Sequence, residues 1–302
     1  MHKIAIISLL IVTCILNSTA QNNPDTIPFV LTPYNNIYVQ TILNEVDTLN
    51  LMFHTGEAGA SITEAALNKI HQPDSMASST VKSWGGQSNA NSFENNHLQI
   101  GNHSFDNLTI WVNKRSGRLT DGKFGPGLFK GKVIEVNYDK KILIVHAQLD
   151  KKNYHTFQKF KLIQDNGLLF IKGKLNLGKS KRAQKFMIHT GYGGNVLLDD
   201  AFVQKHQLGS QLKIVDESVL LDSYGNKIIT KKAILPAFKI GKHKLEDLSI
   251  SFFDGAIGRQ KISVLGNGVL KNYNTLLDLD KGFIYLQPTQ NNTMESSPTS
   301  NG

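Results

Sequence analysis

The sequence predicts a mostly β chain built from two similar lobes. Three observations point there: the apolar segments are short and β-rich, helical patterning is sparse, and one succession of landmarks occurs twice.

The strand candidates are Ile37 to Ile42, Leu49 to Phe53, Leu108 to Val112, Val133 to Val136, Ile142 to His146, Leu168 to Lys172, Phe186 to Ile188, Lys227 to Thr230 and Phe283 to Leu286. Each alternates or runs for a few apolar residues between clusters of Gly, Asn, Asp and Lys, the punctuation of strands and turns. Two helices are expected, over Ile62 to Ile70 and Leu197 to His206. The first opens with the capping-box pattern Ser61-Ile62-Thr63-Glu64.

The duplication lies in the order of features. In the first half, His54-Thr55-Gly56 leads to Ser83-Trp84-Gly85, then Ile100-Gly101, Phe124-Gly125-Pro126-Gly127 and Asp139-Lys140. In the second, His189-Thr190-Gly191 leads to Ser223-Tyr224-Gly225, then Ile240-Gly241, Leu265-Gly266-Asn267-Gly268 and Asp280-Lys281. The separations are 135, 140, 140, 141 and 141 residues, so the second half gains only small loop insertions. These landmarks place a first β lobe at 21–150, a lysine-rich linker at 151–160 and a second β lobe at 161–287. The polar, low-complexity residues 288–302 are expected to be disordered.

Residues 1–20 read as a secretory signal peptide. Lys3 precedes the apolar stretch Ile4 to Leu16, and Ser18-Thr19-Ala20 supplies a small-residue cleavage site before Gln21. The apolar run is too short to span a bilayer comfortably, so an exported protein, periplasmic or secreted, without a membrane span after signal removal is expected. The only cysteine, Cys14, lies in that segment, which excludes structural disulfides, a thiol nucleophile and thiolate-based zinc sites from the mature chain. Signal removal leaves 32 Lys and Arg against 24 acids, a formal charge of +8 that attracts anions at long range. A monomer without a nucleic-acid partner is expected.

The paired His-Thr-Gly blocks carry a resemblance. Each follows an apolar strand, precedes a helix start and is followed by a hydrophobic Gly segment. With Asp in place of His, that arrangement marks the pepsin-like and retropepsin-like aspartic proteases. This chain resembles them, and the bacterial exported members most, over both lobes. The resemblance implies a two-lobed, aspartic-protease-like double β-barrel. It places His54 and His189 at the catalytic-aspartate positions, Thr55 and Thr190 as braces between the two loops, and Gly56 and Gly191 where backbone approaches backbone. Trp84, Gly85 and Gly86 fall at the flap over the cleft, and Tyr224 and Gly225 at its second-lobe counterpart. The segments Gly125 to Phe129 and Val264 to Leu270 correspond to the pieces packed behind each loop.

Histidine changes the chemistry. Aspartic proteolysis needs one ionised and one protonated carboxyl sharing a water. Two close imidazoles instead disfavour double protonation and settle as one or two neutral rings. The favoured expectation is therefore a non-catalytic cleft that holds a peptide or glycan. Three alternatives stay open. The His pair could act as acid and base in another hydrolysis, it could hold a metal with Glu57 as partner, or Glu57, Asp199 or Asp200 could replace the lost acids in residual proteolysis. No close-spaced ligand motif accompanies the pair, so neither a cofactor nor a metal is expected. Asp199 and Asp200 read first as helix caps. His103 and His243 occupy matching turns of the two repeats, which reads as inherited structure.

Overall fold

The computed structural model describes residues 25–83, 86–178, 180–221, 225, 227–253 and 260–290. The signal-peptide region, the tail beyond 290, Trp84, Gly85 and Tyr224 lie outside the described residues.

The first lobe comprises β1 (Asp25–Pro28), β2 (Val30–Leu31), β3 (Ile37–Leu43), β4 (Asp47–Phe53), β5 (Ala60–Thr63), the one-turn helix α1 (Glu64–Leu67), β6 (Ala77–Ser83), β7 (Gly86–Ile100), β8 (His103–Asn113), β9 (Gly122–Phe124), β10 (Val133–Asn137) and β11 (Ile142–His146). The second comprises β12 (Gln158–Lys161), β13 (Ile163–Asp165), β14 (Leu168–Asn176), β15 (Lys181–His189), β16 (Val196–Leu197), α2 (Asp200–Lys205), α3 (Leu208–Gln211) and β17 (Ile214–Leu221). It continues through β18 (Lys227–Ile240), β19 (His243–Phe253), β20 (Val264–Gly266), α4 (Asn267–Leu270), β21 (Tyr273–Asp278) and β22 (Phe283–Pro288).

Every strand of the first lobe has a counterpart eleven strands later, and the pairings repeat. The first lobe orders its sheet β2-β3-β4-β9-β5-β8-β7-β6 and closes it through β3 with β7; the second orders β13-β14-β15-β20-β16-β19-β18-β17 and closes it through β14 with β18. Even the parallel pairs match: β4 with β9 and β5 with β8 in one lobe, β15 with β20 and β16 with β19 in the other. The result is two closed six-stranded barrels in a mostly β, two-lobed, internally duplicated fold. Closure follows from the side-chain pattern. On β3, Ile37, Val39, Thr41 and Leu43 point inward while Gln40 faces solvent, the period-two alternation of a half-buried strand.

A third sheet joins the lobes, in the order β1-β11-β10-β21-β22-β12. Its centre is the antiparallel pair β10 and β21, with Glu135 opposite Leu276 and Val136 opposite Thr275. The stretch read as a linker contributes to this sheet: its last residues form β12, which pairs with β22. Among the described residues no helix is long and apolar enough to cross a membrane.

Both expected helices are shorter than their patterns suggest. Residues 60–63 form the wholly buried strand β5 between β8 and β9, and the Ser61 hydroxyl accepts from Asn113 Nδ2 (2.9 Å). The cap is instead Thr63, whose hydroxyl accepts from Ala66 N–H (3.1 Å). In the second lobe Val196 and Leu197 are consumed by strand pairing, and the helix starts at Asp200 behind the cap Asp199.

Candidate functional site at the lobe interface

Each His-Thr-Gly block sits at the end of a barrel strand, β4 or β15, and the parallel neighbour β9 or β20 holds it from behind. His54 N–H donates to the Phe124 carbonyl (2.9 Å) and Gly125 N–H to the Gly59 carbonyl (2.8 Å). On the other side Gly266 N–H donates to the Asn195 carbonyl (2.8 Å) and Asn267 N–H to the Tyr192 carbonyl (2.7 Å). Glycine is required behind each loop. A Cβ on Gly125 would lie 1.6 Å from the Glu57 carbonyl oxygen, and one on Gly266 would lie 2.1 Å from the Gly194 carbonyl oxygen.

The two threonines brace the loops across the interface. Thr55 N–H donates to Thr190 Oγ1 and Thr190 N–H to Thr55 Oγ1, both at 3.1 Å. The hydroxyls in turn donate to the opposite strands, Thr55 Oγ1 to the Ile188 carbonyl (2.6 Å) and Thr190 Oγ1 to the Phe53 carbonyl (2.7 Å). All four groups are buried, so each hydrogen bond forms in a medium where leaving it unmade is costly.

This brace brings the two histidines together. The rings of His54 and His189 meet edge to face, with centroids 4.5 Å apart and planes at 70°. The pair is not symmetric. His54 is buried and its Nδ1 accepts from Gly56 N–H (3.1 Å), which assigns the proton of the neutral ring to Nε2. Its ring lies across Gly191, where a Cβ would stand 2.1 Å from His54 Cδ2. His189 keeps a buried Nδ1 with no hydrogen-bond partner.

Burial pushes both rings toward the neutral form. His54 is held well below the ordinary imidazole value by desolvation, then by His189, then by the charge of Lys123. His189 is lowered to about 4 by desolvation and then by Lys123. At neutral pH both imidazoles are uncharged.

Two further residues complete the site. Lys123, on β9, is buried and ion-pairs with Glu57 (Nζ to Oε2 3.5 Å). Its repeat counterpart on β20 is Val264, since Lys123 is opposite Met52 where Val264 is opposite Met187. A lysine replacing an apolar strand residue in one repeat is the signal that could have identified it. The second is Asn36, whose Nδ2 donates to the Gly191 carbonyl (3.2 Å), while neighbouring Asn35 donates to the Gly193 carbonyl (2.8 Å). The first lobe thus reaches over and fixes the second lobe's loop.

The remaining candidates fall as follows. Gly86 opens β7 opposite Ser83, and Gly225 has φ +84°, with Arg115 and Lys114 side chains about 4 Å from its Cβ direction. Glu57 is engaged with Lys123. Asp199 caps α2, accepting from Phe202 N–H (2.8 Å), Ser263 Oγ (2.6 Å) and Gln184 Nε2 (2.5 Å). Asp200 Oδ2 accepts from Gln260 N–H (2.9 Å). Among the described residues no three His, Cys, Asp or Glu side chains converge as a metal site. His103 and His243 begin the matching strands β8 and β19.

No protein-family model matches this chain, and no curated protein matches it.

Proposed function

We propose that this chain is an exported relative of the aspartic proteases, periplasmic or secreted, that holds a peptide or glycan between its lobes without cutting it. The observation that carries this reading is the proton-poor pair of His54 and His189. An aspartic dyad works because one carboxyl is charged and its neighbour carries an acidic proton. Two neutral imidazoles offer neither, and Lys123 beside them opposes the protonation that general-acid catalysis requires.

The acids that could substitute are otherwise engaged: Glu57 with Lys123, Asp199 as a helix cap, and Asp200 with the Gln260 backbone. The threonine brace, which serves to hold two lobes in register around a cleft, is complete. Binding by shape and hydrogen bonding survives the exchange of Asp for His, whereas acid chemistry does not.

The test is to screen the protein against peptide and glycan arrays for binding, and against peptide, glycoside and phosphodiester substrates for turnover from pH 3 to 8. Saturable binding without turnover is expected. Turnover that disappears in His54→Ala overturns the reading. In the same assay, the double substitution His54→Asp with His189→Asp is expected to introduce peptide cleavage with an acid optimum.

A further inference from the structure

The duplication supplies an internal control for a second site, away from the histidine pair. In each lobe a histidine follows the helix that comes after the His-Thr-Gly block: His71 beyond α1 and His206 beyond α2. The strand leading into the block has, seven residues before its own histidine, Asp47 in the first lobe and Arg182 in the second.

In the first lobe the arrangement is closed. Asp47 is buried, its Oδ2 accepts from His71 N–H (3.1 Å), and its Oδ1 lies 2.8 Å from His71 Nδ1. In the second lobe the acid is replaced by a base. Desolvation, then the charge of Arg182 and then that of Lys205, holds the His206 imidazole below the ordinary value. None of the three forms an ion pair among the described residues; the Arg182 guanidinium donates to its neighbour's carbonyl, Lys181 O (3.2 Å).

These groups line a surface depression of about 540 Å³. One wall is Phe202, whose ring stands 4.5 Å from that of His206. The acid of the depression, Asp199, accepts from Phe202 N–H, Ser263 Oγ and Gln184 Nε2, three neutral donors that engage its carboxylate oxygens. Arg182 and Lys205 outnumber the one acid that lines the depression, so it keeps a net positive charge that attracts an anion placed there. Guanidinium and ammonium donors with an imidazole N–H match the oxygens of a phosphate or sulfate ester, and the His206 ring, backed by the buried Phe202, offers a surface for the group that bears it.

We propose that the depression between β15 and α2 of the second lobe binds a phosphate or sulfate monoester through Arg182, Lys205 and His206. The proposal is independent of the reading of His54 and His189.

Calorimetric titration of the protein with inorganic phosphate, inorganic sulfate, a hexose phosphate, a hexose sulfate and the neutral hexose at 0.15 M salt is the test. Saturable 1:1 binding of at least one anionic probe is expected, absent for the neutral sugar and weakened roughly tenfold or more by Arg182→Asp, which restores the first-lobe residue. Whether phosphate or sulfate binds more tightly distinguishes the source of the ester. Lys140→Asp, the same charge change on an exposed first-lobe turn, is expected to leave binding within about twofold. The milder Arg182→Gln and the NMR shift of the His206 ring on adding the anion provide the same test should Arg182→Asp fail to fold. Absence of saturable binding overturns the proposal, and so does equal weakening by Lys140→Asp, which would mark unspecific attraction to a basic surface.

Discussion

The Cδ2–Nε2 side of the His54 ring packs against Gly191 of the opposite lobe, so close that a Cβ there would sit 2.1 Å from Cδ2. Gly191→Ala is therefore expected to force the ring aside and destabilise the protein by about 1–3 kcal/mol. In a His54→Ala background the obstacle is gone, and the same substitution should cost much less. Urea denaturation of the four proteins in this cycle measures the coupling; equal costs in both backgrounds would contradict the contact.

Stability should fall as the medium is acidified below the ordinary histidine range. Well above pH 6.5 both imidazoles are neutral whether the chain is folded or not, and they contribute no pH dependence. Below it the unfolded chain takes up protons that the folded one refuses until His189 titrates near pH 4. Over that window His189 accounts for a loss of about 3 kcal/mol, and His54 adds to it. Thermal midpoints recorded from pH 8 to 4 are expected to drop more steeply for the wild type than for His189→Leu. Parallel profiles would refute the assignment.

The threonine brace predicts non-additivity. Thr55→Val or Thr190→Val each removes a hydroxyl that both accepts and donates in a buried site, with an expected cost of about 2–4 kcal/mol. The double variant should cost less than the sum, because once either threonine is gone the loops can part and water can reach the groups that the other one held. Denaturant midpoints settle this.

Lys123 should be electrostatically coupled to both rings. Lys123→Val, which installs the residue of the second repeat, is expected to raise the pKa of His189 and of His54. NMR titration of the imidazole Cε1–H resonances measures it, and an unchanged or lowered value would show that the lysine charge does not reach the pair.

Much of this architecture is legible in the residues, and the exceptions have physical causes. The His-Thr-Gly blocks and the Gly125 and Gly266 segments could be read because each feature occurs twice in the same order, and the contacts at those glycines explain why each position recurs. The interlobe sheet could not. β10 and β21 are buried almost throughout, which erases alternation, and each partner lies in the other half of the chain. The first helix start is ambiguous in the sequence because Ser61 and Thr63 can both cap, and the choice is made by the pairing of β5 with β8 and β9. Lys123 carried no periodic signal of its own; only comparison with Val264 exposes it. Asn36 has no sequence signal, since its role depends on one lobe crossing to the other.

The central pairing of β10 with β21 also decides the order of assembly. β1 must wait for β11 near the end of the first lobe, and β10 must wait for a strand near the end of the chain. Contacts that distant slow folding, and during the wait β10 presents a bare apolar edge ready to join any other strand. A chain cut after the first lobe keeps its barrel pairings but never covers that edge, and it should self-associate rather than persist as half of a working protein.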